Sequence, residues 1–454
     1  MARPLLAIVG RPNVGKSTLF NRLAKRRRAI VHDHPGVTRD RLYEEIEWEE
    51  HRFILVDTGG FEIGSDDPMQ SKTSEHVEFA VQEADFVIFM TDVKDGLLES
   101  DHQVVRRLRE SGKQFVFAVN KVDGPKWDQH VFEFYGMGAE SLFPISAEHG
   151  LGIGDLMDEV LLRMKEKFDE EPDEIEGIGI AVVGRPNTGK STLVNALIGS
   201  SRMIVDDTPG TTRDSIDTKI VIGAKRYTLV DTAGIRRRSR VTVGLEKICV
   251  IKALKSLDRA RIALILIDAE EGPTLQDARI AGYARDYGCG CILLVNKWDL
   301  IGRRGRAVRD DFSEDLRRKI KGLAFAPMLF ISARRGNKVD SVLPLVDRVA
   351  EAHGRRIKTP DLNRLLADLE ENHSHPLGRT GPIRFYYISQ IGMMPPVFAV
   401  VTNHPEQIRD AYRRYLINGI REAFGFEGTP IKVVFRPRGQ KKKGRWPKKG
   451  TSVE

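Results

Sequence analysis

The chain has 454 residues, a net charge of +8 and a mean hydropathy of −0.31. That length suggests about three domains, and no apolar run approaches the roughly 20 residues that would span a bilayer. The three cysteines, Cys249, Cys289 and Cys291, fit neither a zinc nor a C-x-x-C redox spacing, so free buried thiols in a reducing cytoplasm are expected.

The first seventeen residues, MARPLLAIVGRPNVGKS, hold a short apolar strand, LLAIV, that runs straight into a loop motif, unlike a signal peptide. FILVD, FVIFMTD and FVFAVN follow, with helical patterns between them, and read as further buried parallel strands. Residues 165–177, KEKFDEEPDEIEG, are acidic and lose apolar periodicity after Phe168, as an exposed linker would. Beyond it the pattern returns. GRPNVGKSTLFNRL at Gly10 recurs as GRPNTGKSTLVNAL at Gly184, and PGVTRD at Pro35 as PGTTRD at Pro209. DTGG at Asp57 recurs as DTAG at Asp231, NKVD at Asn120 as NKWD at Asn296, and SAEHG at Ser146 as SARRG at Ser332. Five elements in one order, 174 to 186 residues apart, mean two copies of a whole domain. IAVVG, YTLVD, IALILID and CILLVN supply the second set of strands, so both copies read as doubly wound, mostly parallel α/β sheets.

The remainder differs. A Thr359-Pro360 helix start precedes Leu362, Leu365, Leu366 and Leu369 on one face. IRFYYISQ and VFAVVT read as strands, residues 408–424 as a second helix, and IKVVFR as a last strand: a small α+β domain, αββαβ. The expected domains are therefore 1–168, a linker at 169–177, then 178–352, 353–436 and a basic tail at 437–454. Residues 353–454 carry +10 and the rest −2, which points to an acidic polymer or membrane surface as partner. The tail is expected to be disordered.

The repeated motifs carry the chemistry. Gly10, Arg11, Pro12, Asn13, Val14, Gly15, Lys16 and Ser17 form G-x-x-x-x-G-K-S between a strand and a helix. So do Gly184, Arg185, Pro186, Asn187, Thr188, Gly189, Lys190 and Ser191. Glycines let the loop N–H groups face phosphate oxygens, and the helix N-terminus adds positive potential. Lys16 and Lys190 are placed to neutralise β/γ oxygens, and Ser17 and Ser191 to ligate Mg²⁺. Asp57, Thr58, Gly59 and Gly60, like Asp231, Thr232, Ala233 and Gly234, end strands. The aspartates can hold Mg²⁺ through water, and Gly60 and Gly234 can offer an N–H to a γ-phosphate. Thr38 and Thr212 can complete the Mg²⁺ shell only when that phosphate is present, which makes a switch. In NKxD, Asp123 and Asp299 can accept from guanine N1–H and N2–H₂, which adenine lacks, so GTP is expected rather than ATP. Asn120 and Asn296 reach the N7/O6 edge, the stems of Lys121 and Lys297 can lie over the ring, and Val122 and Trp298 complete the motif. Ser146-Ala147 and Ser332-Ala333 close the base pocket. Phe61 and Ile235 stand where many G proteins carry a water-orienting Gln, so intrinsic hydrolysis is expected to be slow.

The paired GRPNxGKS, PGxTRD and NKxD motifs, with NHPE, Tyr415-Leu416, REAFGFEGTPI and a basic tail, make the sequence similar to the Der (EngA) family nearly throughout. The resemblance implies a cytoplasmic, monomeric GTPase with two G domains and a C-terminal KH-like domain. It further implies action on the large ribosomal subunit through ribosomal RNA. Related G proteins with Asn in the phosphate loop bind potassium, which implies a potassium-assisted mechanism through Asn13 and Asn187. The G-x-x-G of KH domains lies between two helices, whereas Gly378 to Gly381 precedes a strand, so it reads as an ordinary loop. Arg236, Arg237, Arg238 and Arg240 follow the second D-x-x-G and could contact RNA or pack on the third domain. A membrane-recruited or tRNA-modification-associated G protein is the alternative, although the tail lacks an amphipathic helix or lipidation motif.

Overall fold

The computed structural model describes residues 3–26, 43–58, 80–169, 175–199, 217–232, 245–301, 306–372, 377–378 and 381–438. Thr38, Gly59, Gly60, Phe61, Thr212, Ala233, Gly234, Ile235, the arginines at 236–238 and 240, most of the linker and the tail beyond Arg438 lie outside them. The chain divides into two compact units, residues 1–175 with 236–259, and residues 176–235 with 260–454.

The first unit is built on β1 (Leu5–Val9), α1 (Lys16–Arg26), β2 (Tyr43–Trp48), β3 (His51–Asp57), β4 (Phe86–Asp92), α2 (Glu99–Glu110), β5 (Phe115–Asn120), β6 (Leu142–Pro144) and α3 (Ile153–Arg163). The sheet order is β2-β3-β1-β4-β5-β6, with β2 antiparallel and the others parallel. Every residue of β1 and β4 is buried, as expected of strands covered on both faces. On α1, Leu19, Phe20 and Leu23 form the stripe that joins Leu6, Ile8 and Leu55 in the core.

The second unit repeats this plan with β7 (Ile178–Gly184), α4 (Lys190–Gly199), β8 (Thr218–Ile222), β9 (Lys225–Leu229), β10 (Ile262–Asp268), α6 (Leu275–Asp286), β11 (Gly290–Asn296), α7 (Arg306–Lys319), β12 (Met328–Phe330) and α8 (Val342–His353). Helix α5 (Leu245–Arg259) groups with the first unit. The order β12-β11-β10-β7-β9-β8 matches the first sheet strand for strand. Leu193, Val194 and Leu197 repeat the α1 stripe.

The last part of this unit holds α9 (Thr359–Asn372), a short hairpin of β13 (Leu377–Gly378) and β14 (Gly381–Pro382), then β15 (Phe385–Gly392), β16 (Val397–Thr402), α10 (Asp410–Phe424) and β17 (Lys432–Pro437). Gly378 pairs with Gly381 in that hairpin, so these two glycines are paired strand residues and not part of the ordinary loop expected, and the hairpin is added to the expected αββαβ order. Strand β16 is antiparallel to β15 and parallel to β17. Leu362, Leu366, Tyr412, Leu416 and Ile420 pack the two helices onto this sheet. The domain is fastened to the second sheet through Gly428, whose carbonyl accepts from Cys291 N–H (2.6 Å) and whose N–H donates to Phe325 (3.0 Å). Its φ is +68°, and a Cβ there would lie 2.7 Å from the Val349 methyls, so only glycine fits.

Cys289 and Cys291 are buried free thiols, and burial pushes the Cys291 thiol up. At the end of α8 the His353 imidazole is 1% exposed, and burial, with the Arg261 charge, pulls its pKa down to about 4. An unfolded histidine titrates near 6.5. As pH falls from about 6.5 toward 4, the unfolded chain takes a proton that the folded chain refuses, so stability falls by up to about 3 kcal/mol. Denaturant melts between pH 7 and 4.5 are expected to show this loss, and to show less of it in His353→Leu. Equal acid loss in the variant would remove His353 as its source.

Candidate nucleotide sites

In both sheets the phosphate loop leaves the central strand, between neighbours reached in opposite directions, where ligands bind in open α/β sheets. Gly10 must be small because a Cβ would lie 2.3 Å from the Met90 carbonyl. Gly15 and Gly189 sit at φ +97° and +96°, each with its Cβ position 2.3 Å from the amide nitrogen of Asn120 or Asn296. Asn13 and Asn187 are exposed at φ +64° and +62°, a conformation asparagine tolerates better than most residues. Val14 and Thr188 face the core, while Pro12 and Pro186 lie nearer the surface.

Lys16 is 4% exposed, and its ammonium donates to the carbonyls of Gly10 (2.7 Å) and Arg11 (2.6 Å). Lys190 donates to Gly184 (2.9 Å) and Arg185 (2.6 Å). The ammonium thus lies across the mouth of each loop. Ser17 Oγ donates to Asp57 Oδ2 (2.6 Å), which brings together the hydroxyl and carboxylate that would hold Mg²⁺. Thr58 is tied to β1 through the Ile8 carbonyl (2.6 Å). In the second copy Asp231 sits at φ +55° and its N–H donates to Asp217 (3.0 Å), while Thr232 shares a hydroxyl hydrogen bond with Thr218 (2.7 Å).

The NKxD motifs are knitted to the loops. Asn120 donates to the Val14 carbonyl (2.7 Å) and accepts from Ala147 N–H (2.9 Å). Asn296 donates to Thr188 (2.8 Å) and accepts from Ala333 N–H (2.9 Å). Each side chain therefore joins three motifs that lie far apart in sequence. Asp123 accepts from Lys94 (2.7 Å) and Ser146 Oγ (2.8 Å), and those two bonds hold its carboxyl below the usual carboxylate range. The hydrogen bond from Ser332, aided by the nearby Arg335 at 3.1 Å, does the same for Asp299. Val122 is buried, and the Trp298 ring stands edge-on to Phe330 at 4.4 Å.

Several residues here were not singled out from sequence. Asp92 and Asp268 are two: their buried carboxylates pair with the ammonium groups of Lys121 and Lys297, motif residues at φ +66° and +59°. The signal was present: FVIFMTD and IALILID both end in an acid. Lys94 and Arg335 are less legible, because the two copies use different positions to reach the base-reading aspartate.

Two mostly parallel sheets, each with one such loop, define a tandem P-loop G protein. The chain matches the family described as "50S ribosome-binding GTPase" over residues 5–121 and 179–297, and the "KH-domain-like of EngA bacterial GTPase enzymes, C-terminal" over residues 356–436. It is 47% identical to GTPase Der of Geotalea uraniireducens (strain Rf4) over 441 residues, covering 97% of this chain and 100% of that protein. It is 48% identical to GTPase Der of Geobacter sp. (strain M21) over 440 residues, covering 97% and 99%. The chain belongs to the Der (EngA) family of ribosome-assembly GTPases, and it binds and hydrolyses GTP.

Proposed function

We propose that each G domain holds one guanine nucleotide with Mg²⁺ and that the pair of sites switches the affinity of the chain for the large ribosomal subunit. The observation that carries this reading is the bridging asparagine, present in both copies, that ties phosphate loop to base pocket. Lys16 and Lys190 would leave the loop carbonyls for the β/γ-phosphate oxygens, where fixed positive charge stabilises charge that develops in transfer. Ser17 with Asp57 and Ser191 with Asp231, joined by Thr38 and Thr212 in the triphosphate state, would hold Mg²⁺, which would offset the negative charge of the phosphates. Gly60 and Gly234 would donate N–H groups to the γ-phosphate.

Phe61 and Ile235 cannot orient water, so another group must stabilise the developing charge. The exposed Asn13 and Asn187 support potassium in that role. Turnover is expected to rise several-fold when potassium replaces sodium at equal ionic strength; equal rates in the two salts would remove potassium from the mechanism.

The +10 charge of residues 353–454 supports ribosomal RNA as the partner, bound by a cytoplasmic monomer. Among the described residues no helix is long and apolar enough to cross a membrane. Co-sedimentation with ribosomal subunits in GDP, GTP and a non-hydrolysable analogue tests the reading. Binding to the large subunit that depends on nucleotide is expected. Removing residues 439–454 should weaken it and flatten its salt dependence while leaving hydrolysis unchanged, because fewer counterions are then released. Binding indifferent to nucleotide, or an unchanged salt slope, would contradict the corresponding claim.

A further inference from the structure

The arginine that follows the first glycine of each phosphate loop directs its guanidinium to carboxylates. From Arg11 the guanidinium turns away to Asp95 Oδ2 (2.8 Å) and Asp101 Oδ1 (3.4 Å). From Arg185 it turns to Glu271 Oε2 (2.7 Å) and to both carboxylate oxygens of Asp277 (3.0 Å each). Asp101 and Asp277 are fully buried side chains on the first turns of α2 and α6. Each is already committed to its helix start. Asp101 Oδ2 accepts from Leu98 N–H (3.1 Å), and Asp277 Oδ2 accepts from Thr274 N–H (2.9 Å) and the Thr274 hydroxyl (2.8 Å). One carboxylate thus caps a helix and receives the loop arginine. Burial pushes both carboxyls up, as expected where desolvation outweighs the compensating bonds.

The backbone of the same arginine is part of the lysine cradle, since the carbonyls of Arg11 and Arg185 each accept from the loop lysine at 2.6 Å. The side chain anchors one end of a residue whose other end sets where the lysine rests. The two copies reach this geometry with different neighbours, Leu98 against Thr274 at the cap and Asp95 against Glu271 at the rim. What they share is the loop.

We propose that Asp101 and Asp277 are positioning residues for nucleotide binding, each holding its phosphate loop through the loop arginine. The proposal rests on the reading of these loops as phosphate sites and adds the residues that fix their shape. The second site is the more tightly anchored, because its arginine is held by both oxygens of Asp277 whereas the first pair stands 3.4 Å apart.

Titration of the full chain with GDP tests this. Asp277→Asn keeps an oxygen for the Thr274 cap and removes the charge; Arg185→Gln removes the other partner. Each is expected to lower GDP affinity at one of the two sites about tenfold at 20 °C, where circular dichroism reports a folded chain, and to leave the other site alone. The double variant should be no worse than either single one, because the partners act as a unit. Asp101→Asn should give a smaller loss, at the other site. Two wild-type GDP sites in Asp277→Asn with only a lower melting temperature would reduce the aspartate to a helix cap and overturn the proposal. Additive losses in the double variant would overturn it too. If Asp277→Asn does not fold, Arg185→Gln alone decides, by the same affinity criterion. Failure of the nucleotide-site reading is separable: it would appear in the unsubstituted chain as fewer than two GDP bound.

Discussion

Asp299→Asn is expected to turn the second site from GTP to xanthosine triphosphate. The carboxylate of Asp299 ends the NKxD segment after β11 and is held ionised by Ser332 and Arg335. Guanine presents two donors to it, N1–H and N2–H₂. An amide in its place turns one acceptor into a donor, so N2–H₂ faces N–H₂ and both go unpaired, whereas the O2 of xanthine accepts. Hydrogen bonds to a charged acceptor contribute about 1.5–3 kcal/mol each, which corresponds to a loss of at least tenfold in GTP affinity. Asp123→Asn should do the same at the first site alone. Calorimetry with both nucleotides reads this directly: each variant should bind one GTP and one xanthosine triphosphate per chain. An Asp299→Asn chain that keeps two wild-type GTP sites would remove this aspartate from base recognition.

A second large effect is expected at Asn120. Its amide donates to the Val14 carbonyl in the phosphate loop and accepts from Ala147 N–H in the base-closing loop, both buried bonds. Asn120→Ala leaves that carbonyl and that N–H unsatisfied, at about 1–3 kcal/mol each. It also opens a gap beside Gly15, whose Cβ position is 2.3 Å from the amide nitrogen. GTP affinity at the first site should fall by about a hundredfold. The second site, bridged by Asn296, should be untouched. Asn296→Ala should reverse the pattern. A loss at both sites from either substitution would mean that the asparagines act on global stability and not on their own pockets.

Much of this was legible in the sequence because the chemistry repeats. Lys16 and Lys190, Asn120 and Asn296, and Asp123 and Asp299 stand at fixed places in motifs whose order alone identified two domains, and apolar runs such as IALILID read as covered strands. The two helices and three longer strands of the last domain also followed from periodicity, but the short hairpin of Leu377–Gly378 and Gly381–Pro382 did not. Other features were hidden for physical reasons. Arg11 reads as a phosphate-loop residue because it lies between loop glycines. Its side chain nevertheless ends beside Asp101, ninety positions away on a helix whose N-cap, Leu98, gives no capping signal. The φ of +66° that turns Lys121 toward Asp92 is a tertiary outcome that no propensity carries. Gly428 looked like either of the two glycines in REAFGFEGTPI, and only its neighbours Cys291, Phe325 and Val349 show why it must be glycine.

A chain with two independent guanine-nucleotide sites is what the two bridged loops imply. Equilibrium dialysis of the unsubstituted chain against labelled GDP tests it most directly, repeated with Asp123→Asn, with Asp299→Asn and with both substitutions together. Two GDP per chain are expected, then one, one and none, with xanthosine diphosphate taking each vacated place. A single GDP bound by the unsubstituted chain, or two retained by the doubly substituted one, would contradict it.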